Sequence, residues 1–439
     1  VRAGALRGAV LLRDKDGLPL LMEAIRSSDY GLVQAAARIA MELKEADTSK
    51  MLTDELGKVS ADKQVLLCNV LGKRADKAAL PALFGLAKAG DVTARVAAIK
   101  AVAEIGKTGT APALIELLKD PDGDIARTAE SALAGLSGAD VDETVIRMLD
   151  SEDEALKIKM ISMVGQRRIA KATPRLLKIM ADKDKNLRTA AIKSYGELAG
   201  YSELPELLGI LVKETRAADI SALEKAVGSI CIAAGLPDTA EQKLVDALGK
   251  AVPEAKPAVL RTLRVTGRAG ALKAVRAAVD DTNKDIHEAA IRVISTWRSG
   301  DAIPVLLELA KNSSKPIDKI LCLRGYLNMA FRKHIPAKDR LAICRQAVTM
   351  IERTAEKRML LGAIGRLENV GSLKLIIPYL DDPAVKNEAV TTVMAIVRKR
   401  PKSLNTPVAK KALEKVITAA DKPAIVKEAK ALLKQAGGK

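Results

Sequence analysis

The sequence predicts an all-α fold, a solenoid of about 13 stacked helical hairpins, and three observations carry that prediction. The first is a repeat. Prolines at 19, 81, 112, 174 and 205 are separated by 62, 31, 62 and 31 residues. Asp29, Asp91, Asp122, Asp153 and Asp184 follow the same 31-residue step in a second register. The second observation is composition. Hydrophobic residues make up 48% of the 439, yet Trp297, two phenylalanines and five tyrosines are the only aromatics. A core of Ala, Leu, Val and Ile favours helices over the aromatic and β-branched pattern of sandwiches and barrels. The third is spacing: Leu114, Ile115, Leu117 and Leu118 place one apolar face at helical intervals.

Val1–Leu12 reads as a lone second helix without its hairpin partner. Because the chain starts with Val1 rather than Met, a trimmed, processed or truncated product is expected, and no signal peptide is visible. The units at Pro19, Pro81, Pro112, Pro174 and Pro205 open on proline, suited to a first helical turn where its missing N–H has no partner anyway. In the unit at Pro112, Asp120-Pro121-Asp122-Gly123-Asp124 breaks the first helix and supplies caps for the next. The second helix carries Ile125, Ala129, Ala132 and Leu133 and ends near Gly135 or Gly138. Alanine-rich second helices, such as Ala94 to Ile99, let neighbouring hairpins approach closely. One hairpin cannot bury its stripe alone, so the units must stack.

One solenoid is expected over residues 1–439, with regular repeats at 1–215, divergent ones at 216–312 and longer, basic ones at 313–439. Ala217–Gly235, Leu244–Gly267 and Ala271–Ile294 read as helix pairs without the leading proline, which returns at Pro304. Leu373–Val397 and Thr406–Leu433 are the last two units.

A proline-led apolar helix, an Asp-containing turn, then Arg followed by Ala-Ala-Ile resembles the HEAT repeat, in the short form named after phycobilisome lyases. The resemblance is clearest over residues 80–200. It implies a right-handed superhelix whose second helices line the concave face. It also implies a structural ladder of turn aspartates and following arginines: Asp91 with Arg95, Asp122 with Arg127, and Asp184 with Arg188.

The net charge of +18 is unevenly spread. Residues 313–439 carry +15 of it, and residues 110–160 carry −7. Arg332, Lys333, Arg353, Lys357, Arg358, Arg398, Lys399, Arg400 and Lys402 are the candidate residues for an anionic partner. Nucleic acid would be held through its phosphates, because the scarcity of aromatics leaves little to stack on.

Catalytic and metal patterns fare poorly. Gly106-Lys107-Thr108 resembles the end of a phosphate-binding loop, but Ala101 stands where glycine is required. His287-Glu288 resembles the metal-binding pairs of deoxyhypusine hydroxylase, a HEAT-type iron enzyme, but a single pair and two histidines in all cannot build that site. His287 is expected partly exposed near the start of a second helix, and Trp297 between repeats. Cys68, Cys231, Cys322 and Cys344 each sit in apolar runs and read as buried free thiols. No apolar run approaches the roughly 18–20 residues of a membrane span.

The expected function is a non-catalytic, monomeric protein-binding scaffold, with no catalytic, cofactor-binding or metal residue assigned and no cofactor. Two alternatives stay open: nucleic-acid or other polyanion binding by the basic C-terminal repeats, and the repeat portion of a larger enzyme. The compartment is open as well, cytoplasmic or, with a signal peptide removed, periplasmic or secreted.

Overall fold

The computed structural model describes residues 2–43, 46–106, 109–367 and 369–437; Lys107 and Thr108 lie outside them. Among the described residues the regular structure is helical throughout, with no strand. The chain forms two compact units, Val1–Ala199 and Gly200–Lys439.

The first unit opens on α1 (Arg2–Leu11). Six hairpins follow: α2 (Leu18–Arg26) with α3 (Tyr30–Glu42), α4 (Ala46–Glu55) with α5 (Ala61–Arg74), and α6 (Leu80–Lys88) with α7 (Val92–Ile105). The others are α8 (Ala111–Leu117) with α9 (Gly123–Gly135), α10 (Ala139–Arg147) with α11 (Glu154–Arg167), and α12 (Thr173–Ile179) with α13 (Lys185–Leu198). In the second unit α14 (Leu204–Leu211) pairs with α15 (Ala217–Ala233), α16 (Asp238–Lys250) with α17 (Lys256–Thr266), and α18 (Ala269–Ala277) with α19 (Lys284–Ser295). It continues with α20 (Ala302–Asn312) and α21 (Pro316–Met329), then α22 (Ala337–Ala347) and α23 (Thr354–Gly365). It closes with α24 (Leu373–Ile376) and α25 (Lys386–Lys399), then α26 (Pro407–Ala419) and α27 (Pro423–Gly437). The described residues thus hold 13 hairpins, and α1 packs on α3, as successive second helices do elsewhere.

Local chemistry explains the boundaries. Pro19, Pro81, Pro112, Pro174 and Pro205 all lie in the first turn of a first helix. Asp29, Asp91, Asp122, Asp153 and Asp184 each cap a second helix through a carboxylate that accepts a backbone N–H. Asn283 caps α19 in the same way. These oxygens satisfy donors that helical geometry would leave unpaired.

Within each unit, consecutive second helices pack side by side, α3 on α5 and α5 on α7 in the first, α17 on α19 and α19 on α21 in the second. Each is antiparallel to its own first helix, so successive second helices run in the same direction. Small residues set their separation. A Cβ on Gly72 would lie 3.1 Å from Ala101 Cα, and one on Gly165 3.1 Å from Ser194 Cα. At Gly325 in α21 a Cβ would meet the Ser295 carbonyl oxygen at 2.6 Å and Leu306 Cδ2 at 2.9 Å. Gly→Ala in a free helix gains about 1 kcal/mol. Here Gly325→Ala is expected to destabilise by about 1–3 kcal/mol, since backbone must shift to admit the methyl. A urea titration that found this variant more stable than the wild type would refute the close-approach reading.

Candidate partner-binding ridge

Side chains that tie one repeat to the next decide what is left for a partner. Arg95 donates through Nε to the Ala87 carbonyl at 2.9 Å, at the end of its own first helix. Its other arm pairs with Asp120 in the next repeat, 25 residues on. Asp91, spent on the Thr93 N–H at 2.9 Å, is its helix cap and not its ion partner. Arg188 is buried and donates to the Asp182 and Lys183 carbonyls at 3.0 and 2.7 Å. Arg127 instead pairs with Asp124 on its own helix, with 77% of its side chain exposed. Asp122 and Asp184 act as caps.

His287 occupies the same position in its repeat, four residues after the cap Asn283. It is 6% exposed, so the expected partial exposure is corrected. Its Nδ1 lies 2.6 Å from the Val279 carbonyl oxygen, eight residues back as Ala87 is from Arg95. Its Nε2 lies 3.0 Å from Asp318 Oδ2 in the next repeat, and Ser313 Oγ donates to that oxygen at 3.0 Å. A carbonyl only accepts, so the ring donates to Val279 through Nδ1, and Nε2 faces the Asp318 carboxyl. The ring is buried because it does the ladder arginine's work, reaching back to a carbonyl and forward to a carboxylate.

A second tie went unread in the sequence. Arg167, at the end of α11, donates through Nη1 to the Leu133 and Ala134 carbonyls at 2.7 and 3.1 Å and to that of Leu136. Its Nε and Nη2 donate to Asp142 Oδ1 at 2.9 and 2.7 Å. Arg74 at the end of α5 clasps the Ala40 and Leu43 carbonyls likewise, and Arg268 reaches the Leu236 carbonyl at 2.9 Å. Each guanidinium closes the C-terminal end of the preceding second helix, where carbonyls lack partners and the helix dipole is negative. The signal was present: Gly72-Lys73-Arg74 and Gly165-Gln166-Arg167 stand 93 residues apart, three periods of 31.

The candidate basic residues do not converge. Arg353, Lys357 and Arg358 stand at the start of α23, whereas Arg398, Lys399 and Arg400 end α25 and Lys402 follows it. Arg332 and Lys333 follow α21. Starts and ends of parallel helices lie on opposite edges, about 20 Å apart for 14 residues. Several of the cations are engaged between repeats: Lys357 with Asp382 at 2.6 Å, Arg358 with Glu388 at 2.7 Å, and Arg398 with Glu428 at 2.6 Å. Hydrogen bonds from Lys357 and from Arg398 hold the Asp382 and Glu428 carboxyls below their ordinary range.

The second helices keep an accessible outer stripe of their own. In the first unit it includes Thr93, Lys100 and Glu104 of α7; in the second it includes Glu288 and Arg292 of α19, Ile317 of α21, and Asn387 and Thr391 of α25. Between α19 and α21 this ridge opens into a groove of about 410 Å³. Ile291, Pro316, Ile317 and Leu321 give it an aliphatic lining, and the His287–Asp318 pair lies at its base. Ile317 is 68% exposed. Lys284, Arg292 and Lys315 border it, with Glu288 3.8 Å from Lys284.

Reactive chemistry is muted elsewhere. All four cysteines are buried and free, and burial pushes the Cys68, Cys322 and Cys344 thiols up to about 12. Such thiols carry almost no thiolate, the nucleophilic and metal-binding form, at neutral pH. Among the described residues no group of three His, Cys, Asp or Glu side chains is arranged to hold a metal ion, and no helix is long and apolar enough to cross a membrane. Trp297 is buried at 1% exposure, its Nε1 donating to Ser299 Oγ at 3.0 Å.

Comparison with known proteins matches residues 49–134 and 141–228 to the family of HEAT repeats. No curated protein matches the chain in sequence. Among solved structures it is similar to yeast importin-β (Kap95p), at 10% identity and a TM-score of 0.40, over 96% of this chain and 68% of that one. It is also similar to Kap121p bound to Pho4p, at 12% identity and a TM-score of 0.47, over 95% of this chain and 51% of that one. A third similar structure is the Escherichia coli protein YIBA, at 12% identity and a TM-score of 0.37, over 64% of this chain and 98% of that one.

Proposed function

Because residues 49–134 and 141–228 match the family of HEAT repeats, we propose that the chain is a non-catalytic protein-binding scaffold whose partner lies along the exposed ridge of second helices. The observation that carries this reading is the aliphatic groove opening on that ridge, with Ile317 presented to solvent. An aliphatic side chain left exposed among charged neighbours gains by covering, and a protein surface can cover it. Arg95, His287 and Arg167 are spent instead on repeat-to-repeat contacts that hold the ridge in register. Contact spread over several helices gives each residue a modest share of the binding energy, apart from a few anchors.

Site-specific photo-crosslinking tests the reading. A benzophenone side chain is placed in turn at ridge positions Lys100, Ile317 and Thr391, and at Lys178 and Lys273 on first helices. Crosslinks to protein in a cell extract are expected from the ridge set. Crosslinks confined to the first-helix set, or none from any position, would end the proposal.

A second reading, polyanion binding by residues 313–439, is favoured by one observation: among the described residues Lys333, Arg353 and Lys402 are exposed without an ion pair. Phosphate-driven binding weakens steeply with salt. Absence of DNA and RNA binding even at low salt would remove it.

A further inference from the structure

The ridge reading can be carried to a partner chemistry at one place. Resting on that reading, we infer that the groove between α19 and α21 receives an acidic protein segment that inserts one aliphatic or aromatic side chain between flanking carboxylates.

The lining fixes the first half of this specification. Ile291 is buried in the wall, while Ile317, Pro316 and Leu321 present hydrocarbon from the facing helix. A space of about 410 Å³ accepts a large side chain with the backbone that carries it. The border fixes the second half. Lys284, Arg292 and Lys315 are exposed, and among the described residues Arg292 and Lys315 form no ion pair. The only carboxylate at the rim, Glu288, lies within reach of Lys284, and the one below, Asp318, is turned to His287 and Ser313. The rim is therefore net positive. An approaching carboxylate finds cations on both sides, Lys284 and Arg292 on α19 and Lys315 just before α21.

Nucleic acid fits this site less well. Its phosphates would meet the cations, but the lining holds no Phe, Tyr or Trp, and its one aromatic ring, His287, is buried and held edge-on by Val279 and Asp318 through both nitrogens, leaving no exposed face for base stacking. The aliphatic wall would stay wet. A peptide satisfies rim and wall together, with Arg292 suited to planar, two-point contact with a carboxylate.

The probes are three short fluorescein-labelled peptides: a central Leu-Phe pair flanked by glutamates, the same with Ala-Ala at the centre, and the Leu-Phe version flanked by lysines. Anisotropy is read against the full chain and the variants Ile317→Ser and Arg292→Glu. Both substituted side chains are exposed, so the variants should melt with the wild type. The Glu-flanked Leu-Phe peptide is expected to bind at least about tenfold more tightly than either control, and each variant to weaken it by about tenfold or more. Equal binding of the Ala-Ala peptide, or indifference to Ile317→Ser, would overturn the inference, as would binding that single-stranded DNA displaces equally from wild type and Ile317→Ser. The scaffold reading is separable: with no peptide bound but crosslinks from Lys100 and Thr391, the groove assignment falls and the ridge stands. With no crosslink anywhere on the ridge, both fall.

Discussion

Arg167→Ala is expected to lower the unfolding free energy of the first unit by about 3 kcal/mol, read by urea denaturation. The guanidinium is only 6% exposed and serves three carbonyls of α9 and its cap together with Asp142. A hydrogen bond to a charged group contributes about 1.5–3 kcal/mol, and a buried acceptor left unpaired costs about 1–3 kcal/mol. Alanine removes the former and leaves some of the latter, since Asp142, 35% exposed, can turn to water while the carbonyls around the buried guanidinium lose their donor. Arg167→Lys keeps the charge but not the fork and should fall between. Stacked repeats can open locally before they unfold globally. Amide exchange of α9 and α11 should therefore accelerate in Arg167→Ala before the remote α3 responds. An unfolding curve superimposable on the wild type would show that the clasp contributes nothing.

His287→Ala is expected to cost about 2–4 kcal/mol in the second unit, because it leaves two buried acceptors, the Val279 carbonyl and the Asp318 carboxyl, short of a donor, at about 1–3 kcal/mol each. The pair is nearly closed to solvent, with His287 6% and Asp318 5% exposed. Removing the ring leaves the Asp318 carboxyl with Ser313 as its remaining side-chain donor, and strands the Val279 carbonyl. The double variant His287→Leu/Asp318→Leu should recover much of the loss, because two apolar side chains leave no orphaned charge. The double-mutant cycle then gives a coupling of roughly 2 kcal/mol or more. Additive effects, with the double variant as unstable as the two singles combined, would mean that the two residues do not act as a pair.

The fold was legible because its signals are local. Pro112 opens a helix whatever surrounds it, and Asp122 caps one with atoms two and three residues away. A 31-residue period then turns one correct hairpin into many. The ladder was harder because its partners are not. Asp91 and Arg95 sit one turn apart and invite pairing, yet the Asp91 carboxylate is already held by Thr93, and Arg95 extends to Asp120 across the repeat boundary. His287 looked like an isolated ligand type because the register that makes it an arginine substitute runs through Asn283, where no aspartate marks it. How the basic residues are distributed in space was hidden for a similar reason. Arg353 to Arg358 and Arg398 to Lys402 are rich in charge, but helix direction sends them to opposite edges and neighbouring carboxylates engage several. Ile317 escaped notice because an apolar residue in a first helical turn resembles core, and its exposure follows from how α21 is rotated against α19.

The central claim is that the outer stripe of the second helices meets a protein partner while the ladder beneath only holds it in place. Amide hydrogen exchange of the full chain with and without the partner recovered by crosslinking tests this most directly. Slowed exchange is expected along exposed second-helix segments of several repeats, α19 and α21 among them, with the first helices unchanged. Protection confined to first helices, or to the single stretch 398–402, would contradict it.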